Sequence, residues 1–373
     1  MAPYFSRIHT FPRCSKKAAA DSLFQACIQR EKPGTSIRKM AERMQPTSAF
    51  AAKAVRNPLP YTVFDLGDSI NRMELNYFPV PVAADSTLLF TGKNDTRSPY
   101  DENLFFSRMK KGGSWTAPQL LPGRVNTTSN EGAVAIRGDG RYLVFAGCDR
   151  PEGRGSCDLY GSVWTARGWS EPFSLGDSIN TPQWETQPTL SSDGRTLLFV
   201  RAPERDKANS TIFICTQRPD GSWSRAKPLP GPVNTPYNDL CPRLHADGNT
   251  LYWAETHTGR VFQLAITAPG ETAPFSPIDP SVCLCGLPGV QLFDSLAVDG
   301  DGNVCVATLG LQTAGITVIS PKGEVLEQII TGDPLTTNIC FGGPDFKTAY
   351  ITLSGTGRLV SMPWPYKGLK LNF

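Results

Sequence analysis

The sequence contains only three histidines, at positions 9, 245 and 257. None sits in an H-E-x-x-H pattern, and no G-x-S-x-G elbow, P-loop or Rossmann G-x-G-x-x-G occurs, which disfavours a zincin, a serine hydrolase of that type and a nucleotide enzyme. His257, in ETHTGRV, reads as a turn residue rather than a base. There is no run of 18 apolar residues to span a bilayer, and no apolar segment of secretory type near the start. The formal charge is only +3, too small a field to draw nucleic acid or an anionic membrane. Ten cysteines form no C-x-x-C pair. Most lie in apolar runs, where a reduced thiol acts as a small hydrophobe. Cys148 and Cys157 differ, since they flank the loop DRPEGRGS between two expected neighbouring strands. Two readings stand for them, a cross-strand disulfide in an oxidising compartment or a pair of free thiols.

What the sequence has in abundance is one phrase. ETQPTLSSDGRTLLFV (Glu185 to Val200) reads as a strand, an Asp-Gly turn and a second, apolar strand. It returns as NEGAVAIRGDGRYLVFA from Asn130, DLCPRLHADGNTLYWA from Asp239 and DSLAVDGDGNVCVATL from Asp294. The turn aspartates Asp139, Asp193, Asp247 and Asp301 are 54 residues apart. Looser copies begin at Asn76 and Asn338. This period marks a four-stranded antiparallel blade, which must stack on neighbours to bury both faces. The expected fold is therefore all-β, a six-bladed β-propeller.

Residues 1 to 58 carry eleven Lys or Arg against three acids and no hairpin pattern. They read as a basic leader outside the fold, disordered or weakly helical, with a composition that a mitochondrial presequence would share. The single propeller domain then covers 59 to 373. FDLGDSIN (Phe64 to Asn71) recurs as FSLGDSIN (Phe173 to Asn180), with LPGRVN and LPGPVN as variants. Later copies follow W-S-x-P or W-T-x-P segments at Trp115, Trp169 and Trp223. The first copy has no preceding blade, so the segment around Tyr61 to Phe64 is expected to join the last blade and close the ring.

Residues 59 to 245, through NYFPV, SCDLYGS, ETQPTLSSDGRTLLF and the W-S-x-P ends, resemble TolB-like propeller repeats. That resemblance implies binding of a protein, peptide or glycan. Residues 246 to 373, through ADGNTLYWAETHTGRVFQ, FDSLAVDGDGNVCVAT, GITVISPKGEVLE and TNICFGGPDFKTAYITLSGTGRLV, resemble the gluconolactonase, regucalcin and senescence-marker family. This second resemblance implies a six-bladed propeller and metal-dependent lactone hydrolysis. The family's calcium or zinc is held by an early Glu, a middle Asn and a later Asp. Asp294 with Asp299 matches the later Asp. The middle Asn position holds Leu240 here, behind Asn238 and Asp239, and the early E-G-P is approximated by Glu131-Gly132-Ala133.

The repeat itself carries a chemical expectation. Residues entering the first strand of each blade should converge at one end of the central channel; they are Asn76, Glu131, Glu185, Asp239, Asp294 and Asn338. The first four lie eight residues before the turn aspartate or its equivalent and the last two seven. An oxygen-rich ring suits a hard cation, with Asp294, Glu131, Glu185 and Asp239 as ligands, Asp294 as the base that activates water, and Asn76 and Asn338 lining the channel. The competing reading is a structural ring whose side chains accept backbone N–H bonds. Two functions follow, a lactone or ester hydrolase acting on a sugar-acid lactone, or a non-catalytic propeller binding protein, peptide or glycan at the same place. The expected setting is soluble and cytoplasmic, with mitochondrial import or an oxidising compartment left open.

Overall fold

The computed structural model describes residues 15–42, 44–45, 49, 62–82, 86–204, 206, 209–230, 233–234, 239–245, 248–268, 270–274, 282–310 and 314–369. The expected start near Leu59, the turn at Asp247, Asn238 and much of the Pro-rich link after Ala268 lie outside the described residues. Within the basic leader α1 (Ser15–Arg30) is helical, the second of the two states expected for this segment. A second helical stretch follows Thr35, whose Oγ1 accepts the N–H of Arg38 at 3.2 Å, a helix N-cap. Gln45 Nε2 donates to Asp21 Oδ1 at 2.9 Å, tying the two helical stretches together.

Among the described residues, the named elements after residue 62 are all strands. A short strand β1 (Phe64–Asp65) precedes four strands β2 (Leu75–Val82), β3 (Thr87–Lys93), β4 (Glu102–Arg108) and β5 (Gln119–Leu120). Next come β6 (Asn130–Ile136), β7 (Tyr142–Cys148), β8 (Cys157–Thr165), β9 (Gly168–Trp169) and β10 (Phe173–Ser174), then β11 (Trp184–Leu190), β12 (Thr196–Ala202), β13 (Thr211–Thr216) and β14 (Lys227–Pro228). The rest are β15 (Asp239–Leu244), β16 (Thr250–Glu255), β17 (Arg260–Ala268), β18 (Glu271–Thr272), β19 (Cys283–Gly286), β20 (Leu292–Val298), β21 (Val304–Leu309), β22 (Gly315–Ile319), β23 (Val325–Ile330), β24 (Thr336–Gly342), β25 (Thr348–Leu353) and β26 (Arg358–Pro363).

Among the described residues, the strands form four-stranded sheets led by β2, β20 and β24, a five-stranded sheet led by β15, and a nine-stranded sheet in which the antiparallel units led by β6 and β11 are joined by one parallel pairing of β8 with β11. The unit led by β24 takes its fourth strand from the N-terminal side, because β1 pairs with β26 through Phe64↔Ser361 and Asp65↔Val360. That pairing is the one expected from the spare copy of the FDLGDSIN phrase. Leading strands touch in the cyclic order β2, β6, β11, β15, β20, β24 and back to β2.

Burial explains why the second strand of each unit is the most apolar stretch of its repeat. β7, β12, β16, β21 and β25 are covered on both faces by neighbouring units, and nearly every residue in them is buried. Core clusters are shared between consecutive units. Leu198, Val200 and Ile212 pack with Leu251 and Trp253. Phe90 and Leu88 pack with Tyr350 and Leu359, which joins the last unit to the first.

The recurring D-S-I-N and P-G-x-V-N phrase ends in an asparagine that clamps the preceding unit. Asn180 Oδ1 accepts from Leu159 N at 2.8 Å while its Nδ2 donates to Leu159 O at 2.9 Å. Asn126 does the same to Leu104, and Asn234 to Ile212. Asn71 grips Leu359 in the last unit, again through both amide atoms. Each side chain satisfies backbone groups that a fourth strand of only two residues leaves unpaired.

Candidate functional site

The leading strands share a second device. Register slips by one residue between Tyr77 and Val80, Gly132 and Ala135, Thr186 and Thr189, Leu240 and Arg243, and Phe293 and Leu296. Within four of these bulges a residue other than glycine has positive φ: Phe78, Ala133, Gln187 and Cys241, between 47° and 50°. Such left-handed backbone costs on the order of 1–3 kcal/mol per residue and needs the surrounding ladder to hold it.

This register sorts the six polar residues of the expected ring into two sets. Asn76, Glu131, Glu185 and Asp239 precede the bulge and stand opposite Gly92, Gly147, Arg201 and Glu255. In β20 the place opposite Leu309 is taken by Leu292, and Asp294 occupies the bulge position of Cys241 and Gln187. In β24 the slip lies between Thr336 and Asn338, so Asn338 follows the irregular residue. Counting from the turn brought all six together, whereas counting from the bulge separates Asp294 by two residues from the glutamates.

The two glutamates are fully buried and already occupied. Thr127 donates to Glu131 through N at 2.9 Å and Oγ1 at 2.6 Å, and Arg150 Nη2 lies 3.0 Å from Glu131 Oε1. Gly147 leaves room for this, since a Cβ there would fall 2.6 Å from Arg150 Nε. The guanidinium is stacked over Tyr160 at 4.6 Å and Phe145 at 5.2 Å. Glu185 repeats the arrangement with Thr181 N at 3.2 Å, Thr181 Oγ1 at 2.5 Å and Arg201 Nε at 2.8 Å. Arg201 lies over Phe213 at 4.2 Å. Burial pushes the Glu185 carboxyl upward, opposed by the Thr181 hydrogen bonds and the Arg201 charge. Asp239 is fully buried opposite Glu255.

Sequence reading missed the arginines and the threonines, although NTTSNE and NTPQWE repeat an N-T-x-x-x-E spacing that carries both the clamp and the carboxylate's hydroxyl partner. It also took Asp299 with Asp294. Asp299 instead holds the β20–β21 turn, accepting from Asp301 N at 3.0 Å, Asn303 N at 2.9 Å and Asn303 Nδ2 at 3.0 Å. His257 falls in the exposed turn between β16 and β17, as expected. Cys148 and Cys157 are disulfide-bonded across β7 and β8, the first of their two readings.

Asp294 has a different environment. It is half-buried, and its carboxyl is pushed up to about 7 by burial, which the Ser295 N–H, the Cys241 thiol and the Ser295 hydroxyl offset only in part. Cys241 Sγ is 3.9 Å from Asp294 Oδ1 and 3.3 Å from Ser295 Oγ. The N–H of Cys241 in turn donates to Gln187 Oε1 at 2.8 Å. Bulge residues of β11, β15 and β20 thus form a connected polar chain with an ionisable carboxyl at its end. On β24, neither amide atom of the buried Asn338 has a partner among the described residues, and Asn76 Oδ1 on β2 is likewise unpaired among them. Among the described residues no three His, Cys, Asp or Glu side chains are grouped closely enough to hold a metal ion, and no helix is long and apolar enough to cross a membrane.

Solved structures share this fold. Regucalcin, a calcium-binding protein from Agrobacterium tumefaciens, superposes with a TM-score of 0.57 at 15% identity, over 83% of this chain and 95% of that one. A gluconolactonase from Xanthomonas campestris gives 0.56 at 18%, over 82% and 90%. A luciferin-regenerating enzyme gives 0.52 at 13%, over 83% and 97%. The family model described as SMP-30/Gluconolactonase/LRE-like region matches residues 238–355. From β15 to β25 and the turn after it, this all-β chain therefore carries an SMP-30/gluconolactonase/LRE-like region.

Proposed function

We propose that the chain is a six-bladed β-propeller spanning 59–373 and acts as a lactone or ester hydrolase of gluconolactonase type, with its site where the bulges of β11, β15 and β20 meet. Cyclic contact between leading strands and the β1–β26 pairing support the ring. The observation that carries the chemistry is Asp294. Glu131 is matched by the buried Arg150 and Glu185 by the partly buried Arg201, whereas among the described residues Asp294 meets a serine, a thiol and a backbone N–H.

A carboxyl that titrates near neutrality can accept a proton at working pH and return it. In the proposed reaction, water attacks the lactone carbonyl carbon as Asp294 takes its proton. The ring C–O bond then breaks, and the proton passes to the departing alkoxide to give the hydroxy acid. Asp294 and Asn338 carry the hard oxygen donors that a divalent cation would take, calcium in preference to zinc. Such a cation would supply Lewis acidity toward the carbonyl. Glu131, Glu185 and Asp239 serve in this reading as buried supports of the ring rather than ligands.

Calorimetric titration of calcium and of zinc into chelator-stripped protein, with lactone hydrolysis followed by pH-stat, tests the proposal on the wild type and Asp294→Ala. Binding and turnover that both vanish in the variant support it; turnover untouched by the substitution would sink it. A second reading, a non-catalytic propeller binding a protein, peptide or glycan, is favoured by the two glutamate–arginine pairs, which engage two carboxylates of the expected ring. It gains if the wild type neither binds cations nor turns over any lactone.

A further inference from the structure

We infer that the chain has a second ligand site, remote in sequence from Asp294, which takes a small planar aromatic carboxylate. It lies between the units led by β2 and β6, at the turn end of β6, and encloses a cavity of about 400 Å³. That volume lies within the range of small-molecule sites. Its floor is apolar, from Leu89, Phe106, Leu121 and Ile136, and its rim carries Trp164 and Trp169 with Arg108 and Arg141.

The cavity arises from a local departure in the repeat. In three units a tryptophan follows a short hairpin at the end of the third strand. Trp115 bridges to Met109 and Trp223 to Gln217, each six residues back. Both are buried: Trp115 packs edge-on against Tyr350 with centroids 5.9 Å apart, and Trp223 joins the core between two units. In the unit led by β6 the hairpin is one residue shorter, and Trp169 pairs with Trp164. Trp169 is only partly buried against its interface cluster, and Trp164 is 46% exposed. The two indoles meet edge to face, 5.3 Å apart at 78°. Where Trp115 and Trp223 fill their two interfaces, this one is open and flanked by a standing indole.

Charge selects the ligand. Asp139, the acid of the lining, is taken up by Arg137 Nε and Nη2 at 2.9 and 2.6 Å and by Arg141 N at 2.9 Å. Arg108 lies over Phe106 at 5.4 Å. Among the described residues neither the Arg108 nor the Arg141 guanidinium is ion-paired, although the Arg141 charge helps hold Asp139 below the ordinary carboxylate range. An apolar slot with aromatic walls and two such donors at its rim complements a flat ring bearing one carboxylate, held by stacking and by charge-assisted hydrogen bonds.

The test is binding of 2-naphthoate against its neutral amide, 2-naphthamide, to the full chain, by tryptophan quenching and calorimetry. Wild type is expected to bind the carboxylate, more weakly as salt rises, and to prefer it over the amide. Trp164→Ala and the double variant Arg108→Gln/Arg141→Gln are each expected to weaken binding by roughly tenfold or more. All three side chains are on the surface, so thermal melts should show intact folding. Equal affinity for acid and amide, or an arginine variant that binds as the wild type does, overturns the charge argument. No binding of either probe at millimolar ligand overturns the site.

Discussion

Replacing Asp294 by asparagine in metal-free protein should make the chain more stable at alkaline pH and leave it unchanged in acid. The Asp294 carboxyl is raised from 3.8 to about 7 in the folded chain, chiefly by burial. Between these values the unfolded chain has released the proton that the folded chain retains, so stability falls as pH rises, by about 1.4 kcal/mol per pH unit. The loss is absent below the unfolded value and complete above the folded one. The full interval corresponds to about 4 kcal/mol, and partial solvent access to the side chain reduces this to roughly 2–4 kcal/mol. Urea unfolding in chelator between about pH 4 and pH 8 measures it, with the difference between wild type and Asp294→Asn as the readout. Burial also raises Glu185, Asp158 and Asp299. Those groups act in both proteins and cancel. A difference that stays flat across the range, or a wild type that gains on the variant at alkaline pH, would refute the environment assigned to Asp294.

Two further predictions concern the scaffold. Arg201→Met leaves the fully buried Glu185 without its cation and should cost about 3–5 kcal/mol, whereas adding Glu185→Leu should recover most of it; denaturant midpoints of the single and double variants decide this. Asn180→Ala removes three side-chain hydrogen bonds beneath the unit led by β6 and should cost about 1–3 kcal/mol, with increased amide exchange at Leu159 as the local signature.

The sequence exposed the all-β character and the hairpins because Asp-Gly turns and apolar second strands repeat at a fixed interval. It also exposed the β1–β26 pairing, since an extra copy of FDLGDSIN had no other unit to complete. The site was only partly legible. A one-residue bulge breaks the count from turn to strand entrance, so Asp294 resembled Glu185 in spacing while occupying the place of Cys241. Arg150 and Arg201 could not be matched to their glutamates by spacing, because one reaches back from a loop past Gly147 and the other lies directly across the ladder. Helix α1 was legible only as one of two states, because charge outweighs apolar pattern in that segment.

The bond between β1 and β26 has a consequence for synthesis. A chain emerging from the ribosome exposes Phe64 and Asp65 nearly 300 residues before Val360 and Ser361 exist to receive them. Until then, the Leu88 and Phe90 side of the first unit also lacks Tyr350 and Leu359, which cover it in the finished molecule. The earliest part of the fold to be translated is thus the last to be sealed, and during that wait it is the surface most in need of a chaperone.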